Sequence, residues 1–291
     1  MIKLLALDLD GTTLNSRGEV SKENRDAIRA AEERDVLVTI ATGRRFRDAR
    51  PVGLELELKA PLITHNGGLL KYAENEKTVA FSLLGSTTSR EVIRLGRVYG
   101  GDALVSTDPN GHGALLYDRI SENNVPLKKY LRWAENLHGG EAGREGVERV
   151  ESLDDEIDRH EVVHISFSGT CDAMAAMLDD LTRDLNDKVT ILTTVYPALD
   201  FTLIDILPPA TSKGHGLAKL ADIHGITPDQ IMAMGDNFND LEMLEYAGTP
   251  VVMGNADDKL LARAEFYTTL TNEESGVATA IERFILNGEN N

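Results

Sequence analysis

Cysteine is almost absent from this chain of 291 residues: only Cys171 occurs. That excludes an internal disulfide and fits a reducing compartment, so the expected location is the cytoplasm. Cys171 itself reads as a buried or incidental thiol, not a nucleophile. No apolar run approaches the roughly 20 residues of a membrane span. The N-terminal apolar stretch is too short for a signal peptide and meets Asp8. Positive charge is scarce too, with 30 Lys and Arg against 48 Asp and Glu, a net charge of −18. That balance argues against a nucleic-acid binder and against an anionic membrane surface. It still admits a small anionic substrate, because a metal and a few basic side chains reverse the field locally. Among the seven histidines, His160 and His164 have the spacing of helical zinc ligands. The stretch 162–168 alternates as a strand, however, so no zinc site is expected. His65 reads as incidental. There is no internal repeat and no low-complexity linker.

A hydrophobic content of 42% and a charged content of 27% are those of a soluble globular protein. The length suffices for one large or two ordinary domains. The chain is organised around its start. Ile2 to Leu7 is apolar except for Lys3 and is followed by Asp8-Leu-Asp10-Gly-Thr-Thr-Leu-Asn15. Such a run predicts a strand buried on both faces of a parallel sheet. Alternation would let Asp8 and Asp10 look into one space. Two carboxylates placed together at the end of an apolar strand need a cation or a proton. A divalent metal site at the sheet edge is one reading, and a solvent-facing turn is the other. A calcium loop fits less well, because Thr13 occupies its glycine position and a strand precedes it.

The rest of the chain repeats the pattern. Ser21 can cap a helix to about Arg34 with Ala27, Ile28 and Ala31 inside. Apolar runs at 36–41 and 61–64 end in Thr42-Gly43-Arg44 and His65-Asn66-Gly67. Strand and helix alternate, as in a doubly wound parallel sheet. The texture changes near residue 84. A helix over 87–99, two strands between Ala103 and Asp118, and a helix over 126–138 carrying Trp133 are predicted there. A Gly- and Glu-rich loop over 139–146 follows, then a strand at 162–168. Next comes a helix at 172–185 with Met174, Met177, Leu178 and Leu181 as packing residues, and strands at 189–195 and 200–207. Residues 84–207 thus read as an α+β domain inserted into an α/β core made of 1–83 and 208–291. From Pro208 the first pattern resumes. A helix at 215–224 follows Ser212-Lys213-Gly214. A strand at 231–234 ends in Gly235-Asp236-Asn237-Phe238-Asn239-Asp240. A helix to Tyr246, a strand at 250–253 and a last helix within 272–286 complete it.

Carboxylates for a metal, a hydroxyl and a lysine for a phosphoryl group, all at one sheet edge, are what phosphoryl transfer needs. Asp-Leu-Asp-Gly-Thr at 8–12, Ala-Thr-Gly-Arg at 41–44, Ser-Lys-Gly at 212–214 and Gly-Asp-Asn-Phe-Asn-Asp at 235–240 resemble the four motifs of the haloacid dehalogenase (HAD) superfamily. The likeness is to its Cof-type phosphatases, which carry a large α/β cap between the second and third motifs. Asn66-Gly67 and Asn255-Ala256 resemble that subgroup as well.

The resemblance implies a HAD-like Rossmannoid core and a set of roles. Asp8 would be the nucleophile that forms an aspartyl-phosphate, and Asp10 the general acid and base. Mg²⁺ would be held by Asp8, the backbone carbonyl of Asp10 and Asp236, with Asp240 ordering its water shell. Thr42, Gly43, Lys213 and Asn239 would bind the phosphoryl oxygens. Arg44 and Asn66 would face the substrate. The implied partner is a small phosphorylated metabolite, with sugar phosphates among the candidates, and the inserted domain would set specificity. The expected function is that of a phosphatase acting on a small phosphate monoester. The alternatives are a phosphomutase with a similar core, and a sugar-phosphate binding protein with vestigial chemistry.

Overall fold

The computed structural model describes residues 1–137 and 146–288. Strand β1, Leu4–Leu7, is buried at every position, as an apolar run between two neighbouring strands requires. Helix α1, Lys22–Glu32, begins where Ser21 Oγ accepts the Asn24 N–H, and it buries Ala27, Ile28 and Ala31. Strand β2, Leu37–Ile40, and helix α2, Phe46–Glu55, follow. Strand β3, Leu62–Thr64, departs from expectation. Its Ile63 makes an isolated parallel bridge with Ala41, just past β2, and it pairs antiparallel with β4, Leu69–Lys71. With β5, Thr78–Phe81, these strands form a separate three-stranded sheet.

The chain divides into two compact units. One is Met1–Ala80 with Ser212–Asn291, and the other is Phe81–Thr211. The second unit contains α3 (Ser86–Val98), β6 (Asp102–Thr107), β7 (Ala114–Tyr117), α4 (Val125–Leu137) and β8 (Val147–Arg149). After these come α5 (Leu153–Glu156), β9 (Val162–Gly169), α6 (Cys171–Leu185), β10 (Thr190–Tyr196) and β11 (Phe201–Leu207). Its six strands lie in the order β10-β11-β9-β6-β7-β8. The β7–β8 pair is parallel, and the others are antiparallel. One sheet face buries Val105, Ile165, Phe167 and Ile204 with Met174, Met177 and Leu181 of α6. Leu104 and Leu115, from the other face, pack with Leu127 and Leu131 of α4. The loop expected at 139–146 lies outside the described residues, save for Gly146, whose carbonyl accepts the Leu115 N–H at 3.0 Å.

The first unit resumes with α7, Lys213–His224, capped by Ser212 and closed by Gly225 in the left-handed region. Strand β12 (Ile231–Gly235), α8 (Leu241–Tyr246), β13 (Thr249–Val252), α9 (Asp258–Leu261), β14 (Tyr267–Thr268) and α10 (Gly276–Ile281) follow. Strands β14-β13-β12-β1-β2 make an all-parallel sheet. Because β1, β2 and β12 run the same way, the residues after them, Asp8, Thr42 and Asp236, reach one edge. That is the ligand-binding edge of an open α/β sheet. Among the described residues, no helix is long and apolar enough to cross a membrane.

Candidate active site

Strand β1 stops at Leu7, so strict alternation does not extend to Asp10. Asp8 is buried at the end of the strand, whereas Asp10 lies in the turn beyond and is exposed. Carboxylate oxygens of Asp8, Asp236 and Asp240 lie within 4.8 Å of one another. The Lys213 ammonium, itself 1% exposed, sits among them. Its Nζ donates to Asp8 Oδ1 at 2.6 Å and to Asp240 Oδ1 at 2.6 Å. The other Asp240 oxygen accepts the backbone N–H groups of Asp236 and Asn237, both at 3.1 Å. Both Asp240 oxygens thus accept protein donors. The Asp236 carboxylate lies beside Asp8 and accepts the Thr12 hydroxyl at 3.1 Å.

Three carboxylates share one ammonium, and the electrostatics follow. Burial pushes the Asp8 carboxyl well above the usual carboxylate range; Asp240 adds to this and Lys213 opposes it. Burial and Asp240 push Asp236 up to about 6, against a hydrogen bond from Thr12. Burial works against the Lys213 ammonium, but Asp240 and Asp8 outweigh it and raise its pKa. Three carboxylates facing one ammonium favour taking up either a proton or a cation. The site's donors are hard oxygens without cysteine or histidine, and such a set fits a divalent cation of the Mg²⁺ type.

The other expected site residues form a second group. Arg44 Nε donates to Asp10 Oδ2 at 2.8 Å and Nη2 to Asp10 Oδ1 at 2.5 Å. Thr42 is buried, and its Oγ1 accepts the Arg44 N–H at 3.1 Å. His65 and Asn66 are both left-handed, with φ of 51° and 50°. This turn lets the Asn66 N–H reach the Thr42 carbonyl at 3.0 Å and the His65 N–H reach the Arg44 carbonyl at 3.0 Å. A Cβ at Gly43 would stand 3.1 Å from both Asn66 amide heteroatoms, so glycine permits the close approach. Asn66 Oδ1 is buried and makes no hydrogen bond among the described residues. Asn239 lies half-buried on the short turn Phe238–Asp240. The zinc spacing of His160 and His164 does not become a site. His164 Nε2 pairs with Asp205 at 2.9 Å, and His160 lies 3.4 Å from Glu156.

Sequence reasoning passed over Thr12, whose Oγ1 donates to Asp236 Oδ1 at 3.1 Å. A hydroxyl two residues after Asp10 was its only local signal. It also assigned no role to Asn255 or Asn272.

A family model for haloacid dehalogenase-like hydrolases matches residues 5–281. Among curated proteins, the chain is 32% identical over 286 residues to the 5-amino-6-(5-phospho-D-ribitylamino)uracil phosphatase YcsE of Bacillus subtilis, covering 98% of this chain and 96% of that one. It is 30% identical over 295 residues to YwtE, a phosphatase of the same description from the same organism, with 98% of each covered. Among solved structures, a haloacid dehalogenase-like hydrolase from Bacteroides thetaiotaomicron superposes with a TM-score of 0.80 at 24% identity. That match covers 98% of this chain and 100% of the other. The chain belongs to the haloacid dehalogenase-like hydrolases, as a phosphoric monoester hydrolase.

Proposed function

We propose that the protein hydrolyses a small phosphate monoester with the help of Mg²⁺, through an aspartyl-phosphate on Asp8. The observation that carries this is the joint placement of Asp8, Asp236, Asp240 and Lys213 at the carboxyl edge of the parallel sheet. An Asp8 carboxylate oxygen attacks phosphorus while the ester P–O bond breaks, with Lys213 donating to Oδ1 of the same carboxylate. Asp10, oriented by Arg44, gives its proton to the departing oxygen. Asp10 then takes a proton from water as that water attacks phosphorus and the Asp8–phosphorus bond breaks. Thr42, the Gly43 N–H, Lys213 and Asn239 bind the phosphoryl oxygens, and Arg44 and Asn66 face the leaving-group side. Asp8 and Asp236 would hold Mg²⁺, with the Asp10 carbonyl, and Asp240 would order the water around it. When bound, the ion offsets repulsion between the Asp8 carboxylate and the phosphoryl group.

The leaving group is a sugar or sugar-alcohol in this reading. Two relatives described as 5-amino-6-(5-phospho-D-ribitylamino)uracil phosphatases make a ribityl phosphate a first candidate. We assign choice of leaving group to the Phe81–Thr211 unit as an inserted cap, since the four motifs lie outside it. The low cysteine content supports a cytoplasmic location. The test is phosphate release from a panel of sugar, alditol and ribitylaminouracil phosphates, with Mg²⁺ and with EDTA. The expected result is turnover of at least one polyol ester that EDTA abolishes. Full turnover in metal-free buffer would overturn the reading.

A further inference from the structure

Asn255 takes no part in the chemistry above, yet both ends of its amide are engaged. Nδ2 donates to the Gly11 carbonyl at 2.8 Å, and Oδ1 accepts the Asn272 N–H at 2.9 Å. Asn272 Nδ2 donates in turn to the Leu14 carbonyl at 2.9 Å. Two asparagines therefore hold both ends of the turn from Gly11 to Leu14.

That turn is the wall against which Asp236 rests. Gly11 adopts φ +82°, and a Cβ there would lie 2.4 Å from Asp236 Oδ2, so the backbone touches the carboxylate directly. Thr12 Oγ1 donates to the other oxygen of the same carboxylate. Two residues beyond Asn255, the Asp257 N–H reaches the Asp236 carbonyl at 3.3 Å. One short segment after β13 thus fixes the backbone of Asp236 and, through Gly11, the surroundings of its side chain.

We propose that Asn255 is a positioning residue for Asp236, setting through Gly11 and Thr12 the orientation in which that carboxylate meets the metal. The inference rests on the Mg²⁺ reading given above. Asparagine suits the task because one planar group must donate and accept at once. An aspartate would turn an acceptor toward the Gly11 carbonyl, and an alanine would release the turn. Asn255 is exposed, so its truncation opens no core cavity.

The experiment titrates the metal-free full chain with MgCl₂ alone and follows the thermal unfolding midpoint. Wild type, Asn255→Ala, Asn255→Asp and Asn272→Ala are compared, and wild type is measured first. The expected result for Asn255→Ala is a metal-free melting temperature near wild type with a Mg²⁺ midpoint raised about 10- to 100-fold, the usual cost of losing an outer-shell partner. Asn255→Asp should be no better than alanine, and Asn272→Ala should show a smaller rise. At saturating Mg²⁺, kcat recovers toward wild type and KM for the ester is unchanged. A midpoint for Asn255→Ala within about twofold of wild type would overturn the proposal. Were that variant too unstable to titrate, an unchanged midpoint for Asn272→Ala would overturn it instead. A wild-type protein that does not respond to Mg²⁺ would remove the metal reading itself, a distinguishable failure.

Discussion

The Arg44 guanidinium grips Asp10 in a forked pair, with one hydrogen bond to each carboxylate oxygen. Asp10 is 60% exposed at its side chain, so the pair contributes at most about 1 kcal/mol to stability. Its consequence is orientation of the carboxyl group. Arg44→Ala should leave the melting temperature nearly unchanged and lower turnover about tenfold or more on an alkyl phosphate. The loss should be smaller on an aryl phosphate, whose phenolate leaves without a proton. Arg44→Lys keeps the charge but not the fork and should fall between. Steady-state rates on both ester types check this, and equal losses on the two would contradict it.

Lys213 is the counter-charge of a buried cluster. Removing one partner from such a cluster typically costs about 3–5 kcal/mol, because the remaining charges stay buried without compensation. Lys213→Met is therefore expected to unfold at lower urea than wild type at pH 7 in EDTA, and to have no measurable turnover. The deficit should shrink at pH 5, because Asp8 and Asp236, already pushed up by burial, take protons more readily once the ammonium is gone. Equal urea midpoints for the two proteins at pH 7 would contradict this description of the site.

Asp236 has a folded pKa of about 6, above the roughly 3.9 of an unfolded aspartate. Between these values the native state binds more protons than the unfolded state. Stability of the metal-free protein should then fall as pH rises from about 4 to about 6, and stay lowered above that. Asp236→Asn removes the penalty, so it should melt above wild type at pH 7.5 in EDTA, with the gap closing near pH 4. In the proposed site protons and Mg²⁺ would compete for the same carboxylates, so the wild-type Mg²⁺ midpoint should rise steeply below pH 6. Thermal melts across that range read both effects. A Mg²⁺ midpoint independent of pH between 5 and 7.5 would contradict them.

The sequence was legible where the cause is local. The run Leu4–Leu7 has to be buried on both faces, and Ser21 before an apolar stripe has to start a helix. Both appear in the structure. Lys213 was expected at the opening of a helix, and it is the first helical residue. The strands Leu69–Lys71 and Thr78–Phe81 were missed because each is short and neither alternates clearly. The different surroundings of Asp8 and Asp10 were hidden because β1 ends one residue before Asp8, and alternation says nothing past that point. Contacts such as Asn255 to Gly11, 244 positions apart, arise only when the sheet brings its carboxyl ends together. Periodicity cannot show them.

The division of labour between Asp8 and Asp10 is the centre of the proposed mechanism, and rapid quench with a labelled phosphate ester tests it most directly. An aryl phosphate is mixed with wild type, Asp8→Asn and Asp10→Asn in Mg²⁺, and acid-stable label on the protein is counted over time. The expected result is transient label on wild type and none on Asp8→Asn. Label should persist longer on Asp10→Asn, where no base activates water. Label appearing on Asp8→Asn would contradict the assignment of Asp8 as the nucleophile.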